Sequence, residues 1–203
     1  MLSLSLGKKL VRLARSSIER SFKEGFKVEM VREKKLKEKR GVFVTLRTFP
    51  ENRLRGCIGL PYPSLPLYEA VQKAAYSAAF EDFRFAPLRR EELERITVEI
   101  SVLSKPKLIK VKDASEYFKK IEIGKDGLII KNGPFSGLLL PQVPIEMNWS
   151  VQEFLENLCY KANLTPDFIW DKNTKIWKFQ AQVFAEIKPK GKVKEVKLIE
   201  HGK

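Results

Sequence analysis

The segment Ile96–Val102 alternates apolar and polar side chains more cleanly than any other part of the sequence. Because successive side chains of a strand point to opposite faces, this alternation predicts a strand with one face in a core and the other face polar. Strands of this kind are typical of antiparallel sheets with one solvated side. We therefore expect a sheet that is covered on one face by helices.

Other patterns supply those helices and further strands. Apolar residues at helical spacing predict a helix over residues 4–24, and an Ala-rich segment predicts another over Leu67–Phe80. Val42–Thr48 and residues 53–60 predict an antiparallel hairpin. Because helices and strands do not alternate regularly, we predict an α+β fold, with a mainly antiparallel sheet flanked by helices and a second, smaller α/β lobe.

The smaller lobe is predicted from the middle of the chain. Residues 107–135 contain a short helical piece, two strand-like pieces and a turn at Asn132–Pro134. Ser150–Glu153 has capping-box spacing and begins a helix, and residues 175–187 are predicted to form one long final strand. The predicted lobes are residues 105–147 for the smaller one and residues 1–104 and 148–203 for the larger one, which contains both termini.

The run Leu54-Arg55-Gly56-Cys57-Ile58-Gly59 combines a thiol, a fixed cation and two glycines within one predicted strand. In a regular strand, Arg53, Arg55, Cys57 and Gly59 share one face, which places a guanidinium beside the thiol. Glycine weakens a strand interior, so the two glycines indicate a bulge or a close approach by another backbone or a ligand. We expect a functional site at this run.

Cys57 is either a packed structural thiol or a nucleophile, and the sequence leaves both interpretations open. A nearby cation favours the nucleophilic thiolate, whereas Cys159 fits a buried helical stripe. The only histidine, His201, lies close to the C-terminal end, so we expect neither a Cys–His dyad nor a metal site. The candidates for proton transfer are a carboxylate, water, Lys73, Tyr62 and Tyr68.

Polar residues from two other segments are predicted to line the same pocket. Asp82 and Arg84 follow the Ala-rich helix, where they form either a structural ion pair or an anion-binding loop. Gln142, Glu146 and Trp149 follow a leucine-rich run, and buried amides and carboxylates need partners. The candidate catalytic residues are Cys57 and Arg55, and the candidate substrate-binding residues are Gly56, Gly59, Asp82, Arg84, Gln142, Glu146 and Trp149.

The formal net charge of +14 is concentrated at the ends, because residues 1–40 contribute +8 and residues 188–203 contribute +4. These basic ends are candidates for nucleic-acid binding, although mixed Lys/Glu runs are also typical of the solvated surface of a thermophilic protein. No apolar run is long enough for a membrane span and the two cysteines have no disulfide-like or metal-like spacing, so we expect a cytoplasmic protein. P-loop and Rossmann fingerprints are absent, which leaves the cofactor unknown.

Four segments together carry a family resemblance: the Leu54–Gly59 run, Ser77–Phe85, Ile96–Pro106, and Gly137–Val143 followed by Glu146 and Trp149. They resemble the AMMECR-one domain family, named for a human chromosomal region associated with Alport syndrome, midface hypoplasia and elliptocytosis. The resemblance covers roughly residues 5–188 and implies a two-lobed α+β fold. No biochemical activity is established for that family, and its members occur beside Memo-like and radical-SAM proteins, which the resemblance suggests as functional associates.

Two functions are compatible with these observations. The first is an enzyme that acts on a small molecule, a nucleotide or RNA through a pocket in which Cys57 is the nucleophile or acid–base group and Arg55 holds an anion. The second is a non-catalytic module that binds nucleic acid or a protein partner. A reactive Cys57 would favour the enzyme, and salt-sensitive binding of nucleic acid would favour the module.

Overall fold

The strands of the described residues form two separate antiparallel sheets, one in each of two compact units. The computed structural model describes residues 1–197. The first unit comprises Met1–Leu103 and Gln182–Val196, and the described part of the second comprises Ser104–Ala181 and Lys197. The predicted α+β fold is therefore confirmed.

Over the described residues, the strands are β1 Val42–Thr48, β2 Leu54–Leu60, β3 Ile96–Leu103, β4 Lys107–Leu108, β5 Gly127–Asn132, β6 Phe135–Leu139, β7 Lys175–Phe179, β8 Ala181–Glu186 and β9 Val193–Val196. The α-helices are α1 Leu4–Glu24, α2 Leu67–Phe80, α3 Tyr117–Lys120, α4 Val143–Glu146 and α5 Val151–Lys161. Short 3₁₀ helices cover Lys34–Lys37, Arg90–Arg95, Ala114–Glu116 and Pro166–Trp170. Among residues 1–197, none of the helices combines the length and the apolar character needed to cross a membrane.

In the first unit, the sheet has the order β2-β1-β3-β8-β9 and is covered on one face by α1 and α2. Alternate residues of β1 and β3, such as Val44 and Ile100, are fully buried in the core with apolar residues of both helices. Ser3 caps α1 by accepting a hydrogen bond from the backbone N–H of Leu6 at 3.4 Å. The opposite face of the sheet carries the polar residues of the same strands.

In the second unit, the sheet has the order β4-β7-β5-β6, and α5 supplies much of its core. Ser150 and Glu153 form the predicted capping box, in which the Ser150 hydroxyl accepts from the Glu153 N–H at 3.2 Å and the Glu153 carboxylate accepts from the Ser150 N–H at 2.8 Å. Phe154 and Leu158 are fully buried. The predicted turn at Asn132–Pro134 joins β5 to β6.

Two details differ from the sequence-based expectation. Residues 148–181, predicted from the sequence as part of the larger lobe, belong to the second unit, because the apolar stripe of α5 packs in that unit's core. Residues 175–187 form two strands rather than one, since Gln180 separates β7 from β8 and these strands pair in different sheets. Ser104 and Gln180 make two hydrogen bonds at this point, which satisfies the backbone groups between the strands.

Candidate active site on the edge strand β2

The strand β2 lies at the edge of the first unit's sheet and contains a β-bulge. Leu46 pairs with Gly56, but the next residue of β1, Arg47, pairs with Leu54, so Arg55 has no partner in the ladder. A bulge resets the alternation of side chains, and Leu54 consequently shares the face of Arg47. The regular alternation predicted for residues 53–60 therefore holds only after the bulge.

The two glycines of β2 permit close approaches by neighbouring groups. A Cβ atom on Gly56 would lie 2.1 Å from the carbonyl oxygen of Ala78 in α2, and one on Gly59 would lie 2.1 Å from the ring of Phe43. Any side chain at either position would displace the helix backbone or the ring. The predicted bulge and close approach are both confirmed, and the close approach at Gly56 places α2 against the strand that carries Cys57.

The backbone of Cys57 is held by the loop that follows α2. Its N–H donates to Asp82 Oδ2 at 2.8 Å, and its carbonyl oxygen accepts from Arg84 Nη2 at 2.9 Å. An edge strand presents such groups unpaired, so these two side chains take the place of a neighbouring strand at Cys57. The sheet edge is closed at the residue that carries the thiol.

Asp82 and Arg84 also form a two-point ion pair with each other. Arg84 Nε donates to Asp82 Oδ1 at 2.9 Å, and Arg84 Nη2 donates to Asp82 Oδ2 at 2.8 Å. The hydrogen bond from Arg84 lowers the pKa of Asp82 to about 2, against the opposing effect of burial, with further help from the Cys57 N–H. Asp82 raises the pKa of Arg84, and Cys57 adds smaller contributions in the same direction. Asp82 is thus a fixed anion, while the Arg84 side chain is still 45% exposed.

The thiol of Cys57 accepts a hydrogen bond from the hydroxyl of Thr45, with Oγ1 3.4 Å from Sγ. The two residues are cross-strand partners in β1 and β2. Because the Cys57 N–H and C=O point away from β1, this is a non-hydrogen-bonded pair, in which side chains lie closest together. Glu99 of β3 is the partner of Thr45 on its other side, so Cys57, Thr45 and Glu99 form one row across three strands.

Arg55 is engaged by a carboxylate. Its Nε and Nη2 donate to Glu92 Oε1 and Oε2 at 2.7 and 3.0 Å, and this pairing is the main cause that lowers the pKa of Glu92. The guanidinium that contacts Cys57 is that of Arg84 rather than Arg55. Both guanidinium carbons lie near the ring of Phe85, at 6.0 Å for Arg55 and 5.6 Å for Arg84.

The nine predicted site residues are divided between the two units. The first unit brings together Arg55, Gly56, Cys57, Gly59, Asp82 and Arg84, whereas Gln142, Glu146 and Trp149 lie in the second unit. There, Gln142 precedes α4 and its side-chain oxygen is buried without a hydrogen-bond partner among the described residues. Glu146 is exposed, and Trp149 packs against the second core.

Our sequence reasoning missed Thr45, Glu92 and Glu99. Thr45 could have been found from the hairpin register, since it is the β1 residue opposite Cys57. Glu99 is a polar position on the alternating strand and therefore lies on the face opposite the core. Nothing in the local pattern marks Glu92, because it belongs to a 3₁₀ helix far along the chain from Arg55.

The remaining candidate groups are accounted for as follows. Cys159 is fully buried, and burial raises the pKa of its thiol to about 11. Within residues 1–197, no three His, Cys, Asp or Glu side chains come together in a way that could hold a metal ion. His201 lies outside the described residues.

Comparison with known proteins gives a consistent result. A family model described as AMMECR1 matches residues 11–184. A protein of Methanocaldococcus jannaschii is 49% identical over 200 residues, which covers 98% of this chain and 99% of that protein. The crystal structure of an uncharacterized protein from Pyrococcus horikoshii matches with a TM-score of 0.89 and 46% identity, covering 95% of this chain and 97% of that one. These relatives are archaeal, which fits the expectation of a thermophilic protein, and neither of their names states an activity.

Proposed function

The chain belongs to the AMMECR1 family, as its motifs suggested, and on that premise we propose that it is an enzyme that uses the thiol of Cys57 on a small anionic molecule. The observation that carries this proposal is the number of polar contacts made to one residue. Asp82 holds the Cys57 N–H, Arg84 holds its carbonyl oxygen, and Thr45 donates to its sulfur. The two backbone contacts fix this residue at the sheet edge, and the hydroxyl of Thr45 contacts the sulfur itself, which a cysteine that only fills space does not require.

The positions of the charged groups indicate which roles they can take. Arg84 is partly exposed and contacts Cys57, so it is the group best placed to attract the anionic part of a substrate. Asp82 is a poor proton acceptor, because its pKa of about 2 keeps it ionised and weakly basic. Glu92 is held by Arg55 in a similar way.

Glu99 is the carboxylate that shares a sheet row with the thiol, and we assign it as the group that accepts the thiol proton. Two cross-strand steps separate it from Cys57, a span of roughly 10 Å between Cα atoms. The proton would therefore pass through a bridging water or a substrate group. We place the activity in the cytoplasm, where thiols stay reduced, in keeping with the two free cysteines of the chain.

Paired alkylating reagents test the thiol and its cation together. In the folded protein, Cys57 should react with iodoacetate and iodoacetamide, while Cys159 should stay unmodified until the protein unfolds, because it is fully buried. The ratio of the iodoacetate rate to the iodoacetamide rate should exceed that of a free thiol, since Arg84 attracts the anionic reagent. Mass spectrometry of the Cys57 peptide gives both rates.

The matched variant is Arg84→Gln, which puts a neutral amide in the place of the cation beside Cys57. The rate ratio should fall several-fold in this variant, and it should be unchanged in Arg89→Gln, where an arginine that is 81% exposed is removed. A folded protein whose Cys57 resists both reagents would refute the thiol role. If Cys57 is reactive but a Cys57→Ala variant leaves cellular metabolite levels unchanged, the enzymatic interpretation fails.

A further inference from the structure

A groove with a volume of about 480 Å³ opens in the second unit, and none of the residues assigned to the thiol site line it. Its walls are the segments Leu108–Ala114 and Ile169–Lys175, which are joined by a hydrogen bond from the Ile109 N–H to the Ile176 carbonyl oxygen at 2.9 Å. This volume is within the range of pockets that hold small organic groups. The groove is therefore large enough for a nucleobase.

The indole of Trp170 lines this groove and is 60% exposed. Its neighbour Ile169, by contrast, is buried in the core of the second unit. Ile169 therefore anchors the 3₁₀ helix Pro166–Trp170, and the same helix exposes Trp170 to solvent. A large aromatic group that is presented on a fixed backbone offers a rigid flat surface to a ligand. Stacking is the contact that such a surface makes most readily with a planar base.

Four lysines line the groove together with the indole, two from each wall: Lys110, Lys112, Lys172 and Lys175. All four are exposed, and none of their ammonium groups makes a hydrogen bond or an ion pair with the described part of the chain. Two acidic residues, Asp113 and Asp171, also line the groove, and their carboxylates accept backbone N–H groups of Ser115 and Asn173 at 2.9 and 2.8 Å. The groove thus has an excess of positive charge that is available to a ligand.

We propose that this groove binds single-stranded nucleic acid, with an unpaired base stacked on Trp170 and the backbone phosphates on either side held by the lysines. The site is separate from the thiol chemistry and does not depend on it. The sequence analysis named the basic ends of the chain as candidates for nucleic-acid binding. This proposal instead places the binding site in a groove of the second unit. Aromatic stacking combined with a positively charged track is how proteins hold single strands without reading their sequence.

A polymer fits this groove better than a mononucleotide does. The four lysines come from two separate walls and are all exposed, so they match phosphates that are spread along a backbone. A single phosphate group would instead be held by cations or N–H groups that converge on one point. An acidic protein would match the charge but would leave the indole without a planar partner.

Binding of a labelled oligouridine at low ionic strength tests the proposal, with fluorescence anisotropy as the readout. Trp170→Ala should weaken binding about tenfold, the loss expected for one stacked base. The control is Tyr160→Ala, which removes a comparably exposed aromatic residue of the same unit, 59% against 60%, and should leave the affinity unchanged. Both positions are exposed, and equal melting temperatures will show that the variants are folded.

The lysines are tested by their effect on salt dependence. Lys172→Gln with Lys175→Gln should reduce the slope of log affinity against log salt concentration by about 1.4, which corresponds to two lost phosphate contacts on a single strand. Lys119→Gln with Lys161→Gln makes the same change in net charge outside the groove and should leave the slope unchanged. Equal effects of the two pairs, binding of duplex as tightly as of single strand, or displacement by polyglutamate or AMP at equal concentration of units would overturn the assignment.

Discussion

Asp82 is the residue on which the geometry around Cys57 depends. Its carboxylate accepts the Cys57 N–H on one side and the Arg84 guanidinium on the other, and its side chain is only 2% exposed. A buried carboxylate is tolerated because these donors replace the water it loses. A change at Asp82 should therefore disturb both the ion pair with Arg84 and the position of the Cys57 thiol.

The acid stability of the protein should report this carboxylate. Because the pKa of Asp82 is lowered from 3.8 to about 2 on folding, its contribution is fully present above pH 4 and is lost as the pH falls toward 2. The expected loss is about 2 kcal/mol of unfolding free energy. Denaturant titrations at pH 5 and pH 2 should show a smaller difference for Asp82→Asn than for the wild type. An identical difference in both proteins would mean that Asp82 is not the responsible group.

At this scale, the sequence identified individual residues better than their contacts. Cys57, Asp82 and Arg84 were all candidates, but their contact depends on the length and packing of α2, which returns the chain to the edge of β2. The sequence also did not predict that Glu92 pairs with Arg55. Arg55 has no partner in the β-ladder because of the bulge, and the bulge is a property of strand register. Register is set by pairing between segments, and local composition does not encode it directly.

Among the elements, α1 is tied to the sheet by a buried ion pair as well as by apolar packing. Arg15 Nε and Nη2 donate to the Glu186 carboxylate of β8 at 2.6 and 2.5 Å, and Nη2 also donates to the Ile96 carbonyl oxygen at 2.8 Å. Glu186 in turn accepts from the Val98 N–H at 3.0 Å. One network thus joins a helix to two strands in the interior of the first unit.

Removing one member of this network should be far more costly than removing an exposed ion pair. Glu186→Ala removes the two-point partner of the buried Arg15 guanidinium and leaves it the Glu19 carboxylate at 3.9 Å as its ionic partner, so it should lower the unfolding free energy by about 3–5 kcal/mol. Glu94→Ala breaks the ion pair between Glu94 and Lys190. Because the Glu94 side chain is 69% exposed, this variant should lose less than about 1 kcal/mol of unfolding free energy. Urea denaturation of the two variants measures both values. Similar losses would mean that the buried pair contributes no more than a surface pair does.

The sequence predicted α1, α2, β1 and β3 well, because each has a strong period that matches its own core. It failed at residues 175–187, where the strand-like composition continues across Gln180 although the chain changes sheets there. Propensity measures the fit of a residue to a strand and carries no information on which sheet that strand joins. The break is instead fixed by the hydrogen bonds between Gln180 and Ser104.

For the whole molecule, the same limit applies to the unit boundaries. The sequence predicts the apolar stripe of α5. Such a stripe indicates that this face of the helix is buried, but it does not indicate which other residues cover it. Its partners proved to be residues of the second unit, such as Leu128 and Ile176, so the boundary falls beyond α5. Apart from Lys197, the described part of the second unit is consequently one continuous segment, Ser104–Ala181, inserted between two parts of the first.

That continuity leads to a prediction for the isolated segment 104–181. Its ends are adjacent, because Ser104 N–H donates to the Gln180 carbonyl oxygen at 2.8 Å and Gln180 N–H donates to Ser104 Oγ at 2.9 Å. It also has its own sheet and core, so we expect the fragment to fold alone, with dispersed amide resonances and a cooperative thermal transition. Leu158→Ala, which empties a fully buried position, should destabilise the fragment by about 2–5 kcal/mol, whereas Lys161→Ala on the exposed side of α5 should change it little. A fragment without a cooperative transition would show that this core needs the rest of the chain in order to form.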